Sequence, residues 1–378
     1  MKILFISLMG GAPWGGSEEL WHKVALEAIE NGHSIGICVK EWPELHPKIK
    51  LLKEKGASVI LRKENAQLKR FVRLFSFGLY KLGERYLKQI AEFNPNTILV
   101  SQGTTFEFFY SGSIFQLVQK LQKTYSIISQ YNVENGWNQS AYIKDLVTKS
   151  ENRWKNFYFV SERNLKVAER QLATKIEHSK VICNPININK VAICEWPVAK
   201  KIKLACLARY ECSYKGQDIL LETLAEPEFS NIDFTLNFFG SGPDKLHLQQ
   251  LVSYYQLEKK VFIGSFVNDI DEVWREHHAL VLPSISEGTP LSLQEAMLKG
   301  RTALVTDVGG NSTLIIDGET GFLAATASVN SLKEKLIELF NTPLDKLMVM
   351  GEAAFAKATK KIDLNASSKI LEDLQSTI

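Results

Sequence analysis

The sequence has no long hydrophobic run. Nowhere in its 378 residues do apolar side chains approach the roughly 20 in succession that a bilayer-spanning helix needs. The opening "MKILFISLMGGAPWGG" has one Lys before a short apolar run and passes straight into a Gly-rich turn. It reads as a buried first strand, not as a secretory signal. Cysteine is also scarce. Cys38, Cys183, Cys194, Cys206 and Cys212 make an odd count with no C-x-x-C pair. That argues against a disulfide framework or a zinc site, and for a reducing, cytoplasmic setting. A Walker G-x-x-x-x-G-K-[ST] is missing too. Gly240-Ser241-Gly242 fails the dinucleotide pattern because Lys245 stands where its last Gly would.

What is present is a balanced globular composition, 45% hydrophobic and 23% charged. The length exceeds one ordinary core, so two domains are expected. Net charge is only +3, but residues 48–88 carry twelve Lys and Arg against three Glu, a net +9 that leaves −6 elsewhere. Within 62–88, Phe71, Phe75, Phe77 and Tyr80 alternate with Lys69, Arg70, Arg73, Lys81 and Arg85. Such a segment suits an anionic membrane surface, or a solvated helix face backed by core aromatics. The expected location is cytoplasmic, with peripheral contact on the inner face of a membrane. No nucleic-acid motif accompanies the basicity, so a nucleic-acid partner is not expected.

Short β-rich runs alternate with helical patterns along the whole chain. Strands are predicted at Lys2–Leu8, Ser34–Val39, Ser58–Arg62, Thr97–Ser101, Ser126–Gln130, Phe157–Ser161 and Val181–Asn184. The pattern restarts with Lys203–Ala208, Phe234–Phe239, Val261–Ile263, Ala279–Leu282, Ala303–Thr306 and Gly321–Leu323. Repeated βα units imply parallel sheets covered on both faces. The stretch "NPININKVAICEWPVAKKIK" has two prolines and no period, and reads as a linker. The expected domains are 1–186 and 187–355, with a C-terminal helix at 356–378 packing back on the first. Ligands of open α/β sheets sit beyond the carboxyl ends of the strands, so two such domains should bind theirs in a cleft between them.

The second half holds the chemistry-bearing residues. Arg209 ends a strand, and Lys215 follows just before Gly216 and a helix. An Arg fork and a mobile Lys charge at that edge suit a diphosphate. In "SEGTPLSLQE", Glu287 precedes a helix and Glu295 lies inside it. Thr289 reads as the N-cap, with Pro290 at the first helical position. The free N–H groups of Leu291 and Ser292 would then attract phosphate. Glu287 suits sugar hydroxyls and Glu295 a ribose diol. In the first half, Gly10, Gly11, Gly15 and Gly16 form a strand-to-helix turn whose backbone could meet an anion.

Together these residues resemble the retaining glycosyltransferases of family 4 (glycosyl transferases group 1), which have the GT-B fold. The E-x7-E pair matches Glu287 and Glu295; the strand-end Arg and Lys-Gly match Arg209 and Lys215-Gly216. Gly240-Ser241-Gly242-Pro243, "DVGGNSTLIIDGETGFL" and Gly15-Gly16-Ser17 match further family elements. The resemblance implies an α/β chain of two Rossmann-like, doubly wound domains facing across a cleft. It implies transfer from a UDP- or GDP-type sugar to a glycan or lipid-linked acceptor, in surface polysaccharide or glycolipid synthesis. Retention of configuration, no metal and no other cofactor are implied as well. By the same carry-over, Arg209 and Lys215 would stabilise the leaving diphosphate. Glu287, Gly288 and Thr289 would hold the sugar, with Leu291 and Ser292 at the phosphates and Glu295 on the ribose. Gly15, Gly16 and Gly240 would approach the donor, and Phe266-Val267 its base.

The family often carries a His in the N-domain stretch that here reads "SIISQYNVENGW"; none of the seven His residues lies there. Gln130 and Asn132 are the acceptor-side candidates, although neither is a base near neutral pH. Three other readings compete. Asp269-Ile270-Asp271 matches a metal-binding D-x-D, but Asp269 also suits a helix cap with Glu272 at the capping-box position. A nucleotide-sugar epimerase of the same fold, or a non-catalytic nucleotide-sugar-binding protein, would share most of these residues.

Overall fold

A computed structural model describes residues 1–63, 85–134, 136–188, 190–267 and 269–376. Most of the basic, aromatic 62–88 segment therefore lies outside the described residues. The chain divides into two compact units, Met1–Pro185 with Asp363–Ile378, and Ile186–Ile362.

The first unit is built on seven strands, β1 (Lys2–Ser7), β2 (Ser34–Lys40), β3 (Ser58–Arg62), β4 (Thr97–Thr104), β5 (Thr124–Tyr131), β6 (Trp154–Phe159) and β7 (Ser179–Val181). They pair in the order β3-β2-β1-β4-β5-β6-β7, all parallel. β1 is buried from Ile3 to Ser7, and β4 from Thr97 to Gln102. Continuous burial is what helices on both faces demand of a parallel strand. Ser140 and Ser161 cap the helices Ala141–Ser150 and Glu162–Leu172, their hydroxyls accepting from the Ile143 and Asn164 amides.

The helix Ala366–Gln375 packs against the helix Gly16–Glu30. Ser367 and Ser368 both donate to Glu27, while Asp373 accepts from the Tyr158 hydroxyl at 2.6 Å and Lys180 at 2.7 Å. The tail division drawn at 355/356 falls inside a helix: Leu344–Lys361 is continuous and belongs to the second unit.

The second unit holds β8 (Ile202–Leu207), β9 (Phe234–Phe239), β10 (Val261–Ile263), β11 (Ala279–Leu282), β12 (Thr302–Thr306) and β13 (Phe322–Ala324). Their order is β10-β9-β8-β11-β12-β13, again parallel. The order turns back between β8 and β11, which makes their carboxyl ends the expected ligand position.

The stretch read as a linker is not free chain. Ile186, Ile188, Val191, Cys194 and Trp196 pack on the core of the second unit. Arg301, fully buried, reaches over to hold it. Its guanidinium donates to the carbonyls of Cys194 (3.3 Å) and Glu195, and to those of Trp274 (2.6 Å) and His277 (3.0 Å). Trp196 lies over the same guanidinium, 5.0 Å from carbon to ring centre. Burial pushes this group down to about 10, and the ring of carbonyls supplies its compensation.

Candidate functional site

In the second unit the loops after β8, β11 and β12 are locked together by glycines. Gly216 has φ +60°, and a Cβ there would stand 2.2 Å from the Pro283 carbonyl oxygen. Only glycine permits that approach. It brings the Lys215 turn against the end of β11, where the Ile285 and Ser286 amides both donate to the Tyr214 carbonyl. On the other side Gly309, at φ +55°, sits where a Cβ would meet the Glu287 and Gly288 carbonyls at 2.4 Å. The Gly310 amide donates to the Gly288 carbonyl at 2.6 Å, and Thr306 donates to that of Ser284 at 2.6 Å.

The clamp sets the charged groups. Lys215 Nζ lies 2.6 Å from Glu287 Oε1, and the Ser284 hydroxyl donates to the same oxygen at 2.7 Å. Glu287 is 7% exposed, so little water competes for its charge. Arg209 pairs with Glu211 at 3.2 Å, in the same loop as Lys215. Cys206 lies beneath this cluster and feels both Lys215 and Glu287; burial pushes its thiol up to about 12.

Glu295 is buried in the second turn of the helix Leu291–Leu298, and its Oε1 accepts the Asn187 amide at 3.2 Å. Phe266 and Val267 follow the edge strand β10, with β9 between it and β8. Phe266 is 69% exposed, whereas Val267 packs on the core.

One sequence expectation is corrected. Thr289 is not the helix cap. The helix starts at Leu291 with Pro290 at the cap position and no side-chain cap bond. Thr289 instead fits against Gly310, whose absent Cβ leaves room for its hydroxyl, and its carbonyl accepts from Gln294. The glycines of Gly240-Ser241-Gly242 are needed by the protein itself. A Cβ at either would stand about 2 Å from the carbonyl of Ala208 or Tyr210. The Tyr210 amide donates back to the Ser241 carbonyl at 3.0 Å. Of the two readings of Asp269-Ile270-Asp271, the helix cap is the one formed: Asp269 accepts from the Asp271 and Glu272 amides, and Asp271 pairs with Lys299 at 2.6 Å. Among the described residues no cluster of His, Cys, Asp or Glu has metal-ligand geometry.

In the first unit Gly15 differs from those glycines. It is extended at φ −162°, and a Cβ would make only an ordinary 3.4 Å contact with Met9. Gly15 and Gly16 begin the helix that follows β1. Gln130 and Asn132 stand at the carboxyl end of β5, 4% and 5% exposed. Gln130 Oε1 accepts from Asn184 at 3.0 Å, and its Nε2 has no protein partner among the described residues.

Sequence reasoning missed Glu18. It is 4% exposed, hydrogen-bonds Ser7, and is pushed up to about 7 by burial. Its position in the first turn behind a Gly-rich loop was the available signal. His22, four residues on, is pushed down to about 4 by burial and is a neutral packing group.

Residues 197–357 match the family model described as Glycosyl transferases group 1. Across its full length the chain superimposes on the crystal structure of Anabaena Alr3699/HepE in complex with UDP and glucose, with a TM-score of 0.75 at 18% identity and 100% of both chains covered. The fold is GT-B. The chain is also 33% identical over 129 residues to an uncharacterized glycosyltransferase of Methanocaldococcus jannaschii, covering 34% of this chain and 35% of that protein. It is 26% identical over 172 residues to the putative colanic acid biosynthesis glycosyltransferase WcaL of Salmonella typhimurium, covering 43% and 42%. The matched segment thus spans well under half the length of these relatives.

Proposed function

We propose that this GT-B chain is a glycosyltransferase. It moves a sugar from a nucleotide-diphosphate donor to a glycan or lipid-linked acceptor, with retention and without a metal. The observation that carries the reading is the joint placement of Lys215, Glu287 and the helix start at Leu291 on clamped loops. These occupy the switch point of the second unit's sheet. The match of residues 197–357 to glycosyl transferases group 1 and the UDP-bound structural neighbour support it.

On this reading Lys215 and Arg209 stabilise charge as it develops on the departing diphosphate. The Leu291 and Ser292 amides offer two further donors. Such preorganised electrostatics is commonly the largest catalytic contribution. Glu287 orients the sugar with the Gly288–Thr289 backbone, and its Oε1 fixes Lys215. Glu295, already held by the Asn187 amide, is set for the ribose, and exposed Phe266 with Val267 for the base. Gly240 would contribute backbone only, since its Cα face is taken. Gly15 and Gly16 leave backbone accessible to an anion, and nothing in the packing requires glycine at 15. With no His in the 126–137 stretch that holds Gln130 and Asn132, the leaving phosphate itself would take the acceptor proton. The basic 62–88 segment would bring the enzyme to an anionic membrane surface.

Lys215→Ala and Glu287→Ala should each lower transfer on the order of a hundredfold or more while the fold persists. Full activity in both refutes the site. A thermal-shift screen with UDP-, GDP- and ADP-sugars identifies the donor. Transfer that collapses in EDTA overturns the metal-free mechanism.

A further inference from the structure

The carboxyl edge of the first unit's sheet carries aromatic side chains on four adjacent strands. Trp42 follows β2, Trp14 follows β1, Tyr110 follows β4 and Trp137 follows β5. From β2 to β5 is three strand spacings, about 14 Å. Trp137 is 91% exposed and Tyr110 62%. They are linked rather than scattered. The Tyr110 hydroxyl donates to Gln139 Oε1 at 2.9 Å, and Gln139 Nε2 donates to the Trp137 carbonyl at 3.3 Å. At the other end Trp14 and Trp42 line a small cavity that also meets the buried Glu18 carboxyl.

Among the described residues, the cations along this edge are already paired. Lys40 spends its ammonium on the Gly10 carbonyl and the Trp42 ring, and Lys48 on Glu19 at 2.5 Å. Arg163 is paired with Glu134 at 2.6 Å. An anionic lipid surface or a phosphate group would call for uncommitted cations here. Trp14 is stacked on His46 at 4.5 Å, so the open ring faces are those of Trp137 and Tyr110. With the Gln139 amide between them they match a neutral saccharide, whose ring C–H faces stack on aromatics while its hydroxyls bond to amides and carboxyls.

We propose that this edge, from Trp42 to Trp137, is a binding platform for a neutral oligosaccharide, so that the acceptor is an existing sugar chain rather than a single lipid-linked residue. Calling the occupant an acceptor rests on the transferase reading; the binding itself does not. Trp137 and Tyr110 stack the distal sugars, Gln139 bridges them, and Glu18 meets a hydroxyl at the reacting end.

The test is binding of the full-length chain to a broad panel of neutral di-, tri- and tetrasaccharides and the matching monosaccharides. UDP binding is read in parallel. The expected result is a preference for the longer members. It should weaken about tenfold in Trp137→Ala and in Tyr110→Ala, and be largely kept in Trp137→Tyr, with UDP affinity unchanged. The proposal is overturned if no saccharide on the panel binds, or if monosaccharides bind as well as chains. It is equally overturned if both alanine variants bind like the parent, or if Trp137→Ala instead loses affinity for phosphatidylglycerol vesicles. Loss of UDP binding in the parent would sink the transferase reading but not the platform.

Discussion

Replacing Glu18 by Gln should remove a pH-dependence from the first unit. Burial raises the Glu18 carboxyl from 4.5 to about 7. The other groups facing it are Ser7 and Trp21, whose hydrogen bonds lower the value, Glu19, which raises it, and Arg62, which lowers it. Burial outweighs them. Between pH 4.5 and 7 the folded state therefore holds a proton that the unfolded chain has released. Stability falls as pH rises through that window, and the loss is complete above it. At 1.36 kcal/mol per unit, the shift corresponds to about 3 kcal/mol. The side chain is fully buried, so no solvent screening reduces the figure.

Gln keeps the shape and can still bond Ser7, but it does not titrate. Below pH 4.5 the two proteins should be about equally stable, and above pH 7 the Gln variant should be more stable by about 3 kcal/mol. The two units can unfold in separate steps, so the readout has to belong to the first. Hydrogen exchange on peptides covering β1 and the helix Gly16–Glu30 meets that need. His22 and His46 also titrate nearby, both pushed down by burial, and they cancel in the difference between the two proteins. Parallel stability curves for the two proteins across the window would refute the argument.

Gly216→Ala forces a left-handed conformation on a residue whose Cβ would lie 2.2 Å from a carbonyl oxygen. It should cost the second unit about 2–4 kcal/mol in urea unfolding and remove nucleotide binding with it. Arg301→Met leaves the carbonyls of Cys194, Glu195, Trp274 and His277 without this donor. A loss of about 3–5 kcal/mol is expected, with faster proteolysis around Lys200 as the 190–201 stretch lifts; unchanged cleavage would show that the stretch is held some other way. Asp269→Ala removes a cap worth about 1 kcal/mol and should leave any response to Mn²⁺ or Mg²⁺ unaltered.

The strands were legible because parallel strands buried on both faces are written as short apolar runs. Ser58–Arg62, Phe234–Phe239, Val261–Ile263 and Ala279–Leu282 were read to the residue, and the other nine to within a few residues at each end. Side-chain roles at long range were not legible, and each failure has a physical cause. Arg301 looks like a surface charge from its neighbours in sequence. Its burial depends on carbonyls more than a hundred positions upstream, at Cys194 and Glu195. Gly240 and Gly242 looked like a ligand cradle because a missing Cβ advertises close approach without saying to what. The structure shows the partner to be the chain's own backbone at Ala208 and Tyr210. Gly15 satisfies neither a positive φ nor a clash. The same residue type therefore carries opposite meanings at the two places. Where packing demands glycine, its presence says nothing of a ligand. Where packing is indifferent, as at Gly15, the chain's own contacts leave the missing side chain unexplained, and only there can a glycine point to something outside the protein.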